Sequence, residues 1–78
     1  MDVLIERCCG LDVHQAEVVA CVLIDQGKKR PLRFARKFGT TRDALEEMRG
    51  WLQQHEVSHV GMESTGVYWM PVYGVLEG

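Results

Sequence analysis

The sequence predicts a small α/β domain: three antiparallel strands, a parallel fourth strand in the spatial order 3-2-1-4, and two helices. Three observations lead there. The 78 residues, 46% hydrophobic and 26% charged, suit one packed core, too short for several domains and too apolar for disorder. Three strand-like segments precede the first helical stripe. A single strand-like segment follows that stripe, so the helix between them serves as a crossover, and a right-handed crossover sets strand four beside strand one.

Arg7 to Val13 is a short run of strand formers with Asp12 near its far end. After the polar break His14-Gln15, Ala16 to Ile24 is β-branched and apolar enough for a central strand buried on both faces, and the two strands form a hairpin. Asp25-Gln26-Gly27-Lys28 supplies the next turn, with Gly27 free to adopt positive φ. Pro31 opens a third strand and, lacking an N–H, belongs at an edge; Leu32, Phe34 and Phe38 share one face, Arg33 and Lys37 the other.

Thr40-Thr41-Arg42-Asp43 starts a helix, a threonine capping free N–H groups and an acid suiting the helix dipole. Ala44, Leu45, Met48, Trp51 and Leu52 then form an apolar stripe, with Glu46, Glu47, Arg49 and Gln53 toward water. Ser58 to Met62 is the fourth strand, ending at Glu63-Ser64-Thr65-Gly66. Val67 to Glu77 is a second helix, which Pro71 forces to start late, near Tyr68, or to bend. The chain stops at Gly78, where a parallel sheet normally receives another strand, and so reads as truncated.

With strands one and four adjacent, about 4.8 Å apart, Asp12 and Glu63 come together at matching strand ends. Two carboxylates there suit a hard cation such as Mg²⁺, although acids at strand ends usually have local uses, here as a hairpin-turn acid and a helix-start acid. His14 beside Asp12 would steer a metal-bound water or contact DNA; as a turn histidine it simply faces solvent. Ser64 and Thr65 fit helix capping as well as phosphate binding. Tyr68 and Trp69 read as core aromatics before base-stacking ones. Gly61-Met62-Glu63-Ser64-Thr65-Gly66 lacks the spacing of a hydrolase nucleophile elbow, and His55 and His59 have no zinc spacing.

The net charge of −2 argues against a wholly nucleic-acid-coated surface, yet six of the nine basic residues lie between Lys28 and Lys37 with no acid among them. Lys28, Lys29, Arg30, Arg33 and Lys37 are therefore candidate phosphate contacts; composition alone favours a charged edge strand that discourages aggregation. No run reaches the roughly 18 apolar residues of a membrane helix, and the start is unlike a signal peptide, so a cytoplasmic protein without a membrane partner is expected. Cys8, Cys9 and Cys21 cannot pair evenly and read as reduced, buried thiols.

Gly10-Leu11-Asp12-Val13-His14 before an apolar strand, then Gly61-Met62-Glu63-Ser64-Thr65-Gly66-Val67-Tyr68-Trp69, resembles the amino-terminal part of the DEDD transposases of the insertion sequence 110 family. The resemblance spans almost the whole chain and implies a RuvC-like catalytic domain of ribonuclease H-like fold. It implies that Asp12 and Glu63 are the first D and the E of a four-carboxylate set holding Mg²⁺ or Mn²⁺ for DNA cleavage and joining. The two later aspartates, and a carboxyl-terminal domain with a nucleophilic serine, lie outside these residues. It also implies DNA and a guide RNA as partners of the intact enzyme. Gln15 and Met70 stand where relatives often carry lysine.

Two other classes compete. A phosphotransferase of the actin-like ATPase and sugar-kinase group shares the strand order, but its first turn is glycine-rich and Asp12-Val13-His14-Gln15 is not. A non-enzymatic dimeric remnant is the third. The 78-residue chain is expected to be inactive alone and to form a homo-oligomer.

Overall fold

The computed structural model describes residues 6–64, 66 and 68–77. Strand β1 is Arg7–Val13, β2 is Glu17–Ile24 and β3 is Leu32–Gly39; helix α1 is Arg42–Gln54, strand β4 is His59–Ser64 and helix α2 is Trp69–Glu77. The sheet order is β3-β2-β1-β4, with β4 parallel to β1 and the other pairs antiparallel. This is the expected topology, and the first strand has the expected bounds.

Turn chemistry sets the hairpins. Gly27 adopts φ 74° and donates its N–H to Asp25 Oδ1 at 2.9 Å, closing an Asx turn between β2 and β3. The β1–β2 turn closes through His14 N–H to Glu17 O at 2.9 Å, and Thr40 donates its hydroxyl to Gln15 O at 3.1 Å, fastening that turn to the end of β3.

Both helices pack on one sheet face. Cys9, Leu11 and Val13 of β1 and Val18, Ala20, Val22 and Ile24 of β2 meet Leu45, Met48 and Leu52 of α1 and Val72 of α2 in a single core. The expectation that β2 is buried on both faces fails: Val19 and Cys21 are half-buried and Leu23 is exposed, because no described element covers the second face. On β3 the apolar residues share a face as expected. Only Phe38 is buried there, against Trp51, while Leu32 and Phe34 lie at the uncovered end of the edge strand.

Thr41 caps α1, accepting from Ala44 N–H at 3.2 Å, with Asp43 in the first turn. At the other end Glu56 N–H donates to Gln53 O and Val57 N–H to Leu52 O, the Schellman pairing, with Glu56 at φ 54° where glycine is usual. β4 runs two residues beyond the expected end at Met62, so Glu63 and Ser64 pair with β1. α2 starts at Trp69 with Pro71 in its first turn, where a missing N–H costs nothing. Tyr68 and Trp69, expected in the core, are exposed: the turns of α2 that face the sheet carry Val72, Val75 and Leu76 instead. Thr65 and Val67 lie outside the described residues.

A carboxylate pair on the open sheet face

Side chains alternate along a strand, so with Leu11 and Val13 in the core, Asp12 projects from the opposite, uncovered face. In the β1–β4 register Asp12 pairs with Glu63, and one step earlier Gly10 pairs with Gly61. The two acids are thus neighbours on the same face at the same end of the sheet, both exposed. His14 Nε2 lies 3.1 Å from Asp12 Oδ2. His14 is exposed, as expected of a turn histidine, and its place one residue beyond the strand end also sets it beside the acid.

A shallow hollow of about 540 Å³ lies at the pair, lined by Gly10, Asp12, Val19, Cys21, Gly61 and Glu63 among others. Its floor is low because Gly10 and Gly61 present no side chains, and a Cβ built on either would meet nothing within 4 Å. The larger hollow, about 600 Å³ between α1 and α2, has Arg42, Glu46 and Arg49 as its charged groups, the last two facing each other at 4.0 Å.

Of the candidate basic residues the fold brings only some near the acids. Lys28, Lys29 and Arg30 occupy the β2–β3 turn, beside the Arg7–Ile24 end of the hairpin. Asp12 is five residues along β1 from that end, about 17 Å at strand rise. Arg33 and Lys37 share the acids' face, being partners of Leu23 and Val19. Arg36 points the other way, toward the helices, ion-paired to Glu47 and lying 4.7 Å over the Phe38 ring.

Among the described residues no group of three or more potential metal ligands is assembled. Two carboxylates offering oxygen ligands and open to solvent nevertheless fit Mg²⁺ or Mn²⁺, hard cations that bind through one or two carboxylates and keep water or phosphate in their remaining positions. Cys8, Cys9 and Cys21 are free thiols, and burial pushes the Cys9 thiol up to about 11.

The Aquifex aeolicus member of the Ppx/GppA protein family aligns with 78% of this chain and 26% of its own at TM-score 0.60 and 16% identity. A structure of the Aquifex aeolicus PPX-GPPA enzyme aligns with 95% of this chain and 31% of its own at TM-score 0.64 and 13% identity. At such identities the likeness is one of fold, and the chain spans less than a third of either structure's length. Among curated proteins nothing matches. A family model described as a transposase, that of the DEDD enzymes of insertion sequence 110, matches residues 9–78, from the middle of β1 through both acids to the end of α2. The chain therefore belongs to the DEDD transposases of the insertion sequence 110 family.

Proposed function

We propose that the chain is the amino-terminal part of a RuvC-like, ribonuclease H-like transposase domain, and that Asp12 and Glu63 are two of its four metal-holding carboxylates. The observation that carries this reading is their pairing across parallel strands β1 and β4 on the open face. A divalent cation held there would neutralise charge at a DNA phosphodiester and stabilise the attacking and leaving oxygens. What the chain's own residues do is more limited. Asp12 and Glu63 supply ligand oxygens from two strands, and His14 contacts the Asp12 carboxylate through Nε2. The low glycine floor keeps the space beside them open to a substrate backbone.

The two acids alone lack the charge to fix two metals, so the 78-residue chain binds one cation weakly and does not cut DNA. Mn²⁺ paramagnetic broadening of the chain's amide signals tests this. Broadening centred on residues 10–14 and 61–64, and lost in Asp12→Asn and Glu63→Gln, is the expected result. Mg²⁺-dependent nicking by the isolated chain, abolished by Asp12→Ala, would overturn the inactivity and mean that a partner chain supplies the missing acids.

The fold likeness to the Ppx/GppA structures invites a phosphotransferase reading, which the β1–β2 turn opposes. That turn contains no glycine, and the His14 N–H is already bonded to Glu17 O, so it does not offer the open run of amides that cradles a phosphate. An ATP titration that shifts His14, Gln15 and Ala16 would favour the phosphotransferase.

A further inference from the structure

The strand registers align four residues in one row across the open face: Lys37 on β3, Val19 on β2, Asp12 on β1 and Glu63 on β4. Two residues along, the next row is Ala35, Cys21, Gly10 and Gly61, and beyond it runs Arg33, Leu23, Cys8 and His59. The middle row is low, and the rows on either side of it each carry a cation at the β3 end. Among the described residues neither the Arg33 nor the Lys37 side chain has an ion-pair or hydrogen-bond partner, in contrast to that of Arg36 behind them, which is held by Glu47 and Phe38.

We propose that Lys37, assisted by Arg33, is a phosphate-positioning residue: the open face carries a DNA backbone across the strands, from the basic edge of β3 to the carboxylate pair. The inference rests on the reading of Asp12 and Glu63 as metal-holding acids.

Electrostatics favours such a device. A pair of exposed carboxylates repels a polyanion until a cation neutralises them, and positive charge elsewhere on the same face offsets that repulsion. Lys37 is two strand spacings from Asp12, about 10 Å. At that distance its ammonium serves a phosphate neighbouring the one at the acids, fixing register without competing for the metal. Lysine suits the task as a point charge on a flexible stem. Lys28, Lys29 and Arg30, at the far end of the sheet, add general attraction but no register. Arg36 contributes neither, since its guanidinium is on the helix side.

The test is the salt dependence of binding between the 78-residue chain and a short fluorescent DNA duplex, measured by anisotropy without divalent metal. Each phosphate contact contributes about 0.9 to the slope of log K against log salt. Lys37→Gln and Arg33→Gln are each expected to lower the slope by about that amount, Lys37→Arg to restore it, and Arg36→Gln to leave it unchanged. The side chains of Arg33 and Lys37 are exposed and unpartnered, that of Arg36 is exposed but paired with Glu47, and circular dichroism is to check that each variant folds. Equal losses in the Arg36 and Lys37 variants, or no DNA binding by the wild-type chain even at low salt, would overturn the proposal. The Mn²⁺ broadening at Asp12 and Glu63 reads the metal site by itself. Intact broadening with no Lys37 effect sinks the track and leaves the metal reading standing; an unchanged Lys37 effect with no broadening sinks the metal reading, and with it the positioning role.

Discussion

Glu56 is where a single side chain works against its backbone. It holds the left-handed position of the Schellman cap that ends α1, at φ 54°, and its ion pair with Arg7 is long, 3.9 Å, and exposed. An exposed pair of that length contributes little, whereas a non-glycine residue in this conformation costs about 1 kcal/mol. Glu56→Gly is therefore expected to stabilise the chain by roughly 0.5 to 1 kcal/mol in urea unfolding. Cys9 makes a second prediction. Burial holds its thiol protonated up to about 11, against 9.0 for a free one. The unfolded chain thus releases this proton at lower pH than the folded one. Stability from this group is whole below pH 9 and falls as pH rises from 9 toward 11, by an amount on the order of 2 kcal/mol that Cys9→Ala would remove. Alkylation at pH 8 should reach Cys8 and Cys21 well before Cys9. The left-handed glutamate was not legible in the sequence, because it depends on where the helix ends. Burial was expected of all three thiols and holds for Cys9 alone; Cys8 and Cys21 are half-buried because their strand face has no cover among the described residues.

At the scale of elements, the strands and helices were legible because their signals are local: β-branched runs, an apolar stripe at helical spacing, a proline, and an Asp-Gln-Gly turn. The pairing of Asp12 with Glu63 was legible for the same reason, since strand order and parallel direction leave those two positions opposite each other. What was not legible was coverage. Alternation assigned Leu32 and Phe34 to the inner face but could not show that a 13-residue helix leaves the β3 edge bare. Nor could the apolar richness of β2 distinguish a strand buried on two faces from one buried on a single face. On α1, Met48 is fully buried, so Met48→Ala should cost about 3 kcal/mol, enough to unfold a domain this small in thermal melts. Gly61→Val behaves oppositely. It fits a strand position with open space around the added side chain, so it should keep or slightly raise stability while weakening DNA binding, because the side chain fills the low floor beside Glu63.

Among the described residues the molecule is two layers, the four-stranded sheet and the two helices on one of its faces. Its radius of gyration is 13.2 Å, against about 11.5 Å for a compact domain of this length, and it measures 42 × 21 × 16 Å. One sheet face has no cover among the described residues, and β3 and β4 are the outer strands of the sheet among them. Near the β4 edge, Val60, Trp69 and Tyr73 are exposed apolar side chains, an unusual concentration for a chain that stays monomeric in water. The two edges differ in charge. A β3 edge brought against its own copy apposes Arg33 and Lys37 with their symmetry mates, and like charges directly opposite destabilise a ladder. The β4 edge has no such cluster of cations. We therefore expect a symmetric dimer through β4 and the adjoining face of α2, the same patch covering itself on both copies. Sedimentation equilibrium over a concentration series should give a weight-average mass rising above the monomer's 8.9 kDa, and Val60→Lys, which places a charge on the pairing edge, should return it to monomer. Arg33→Gln with Lys37→Gln should leave the dimer intact. A monomer persisting at high micromolar concentration would show that the exposed edge and patch are tolerated singly; loss of the dimer on neutralising β3 would place the contact on the wrong edge.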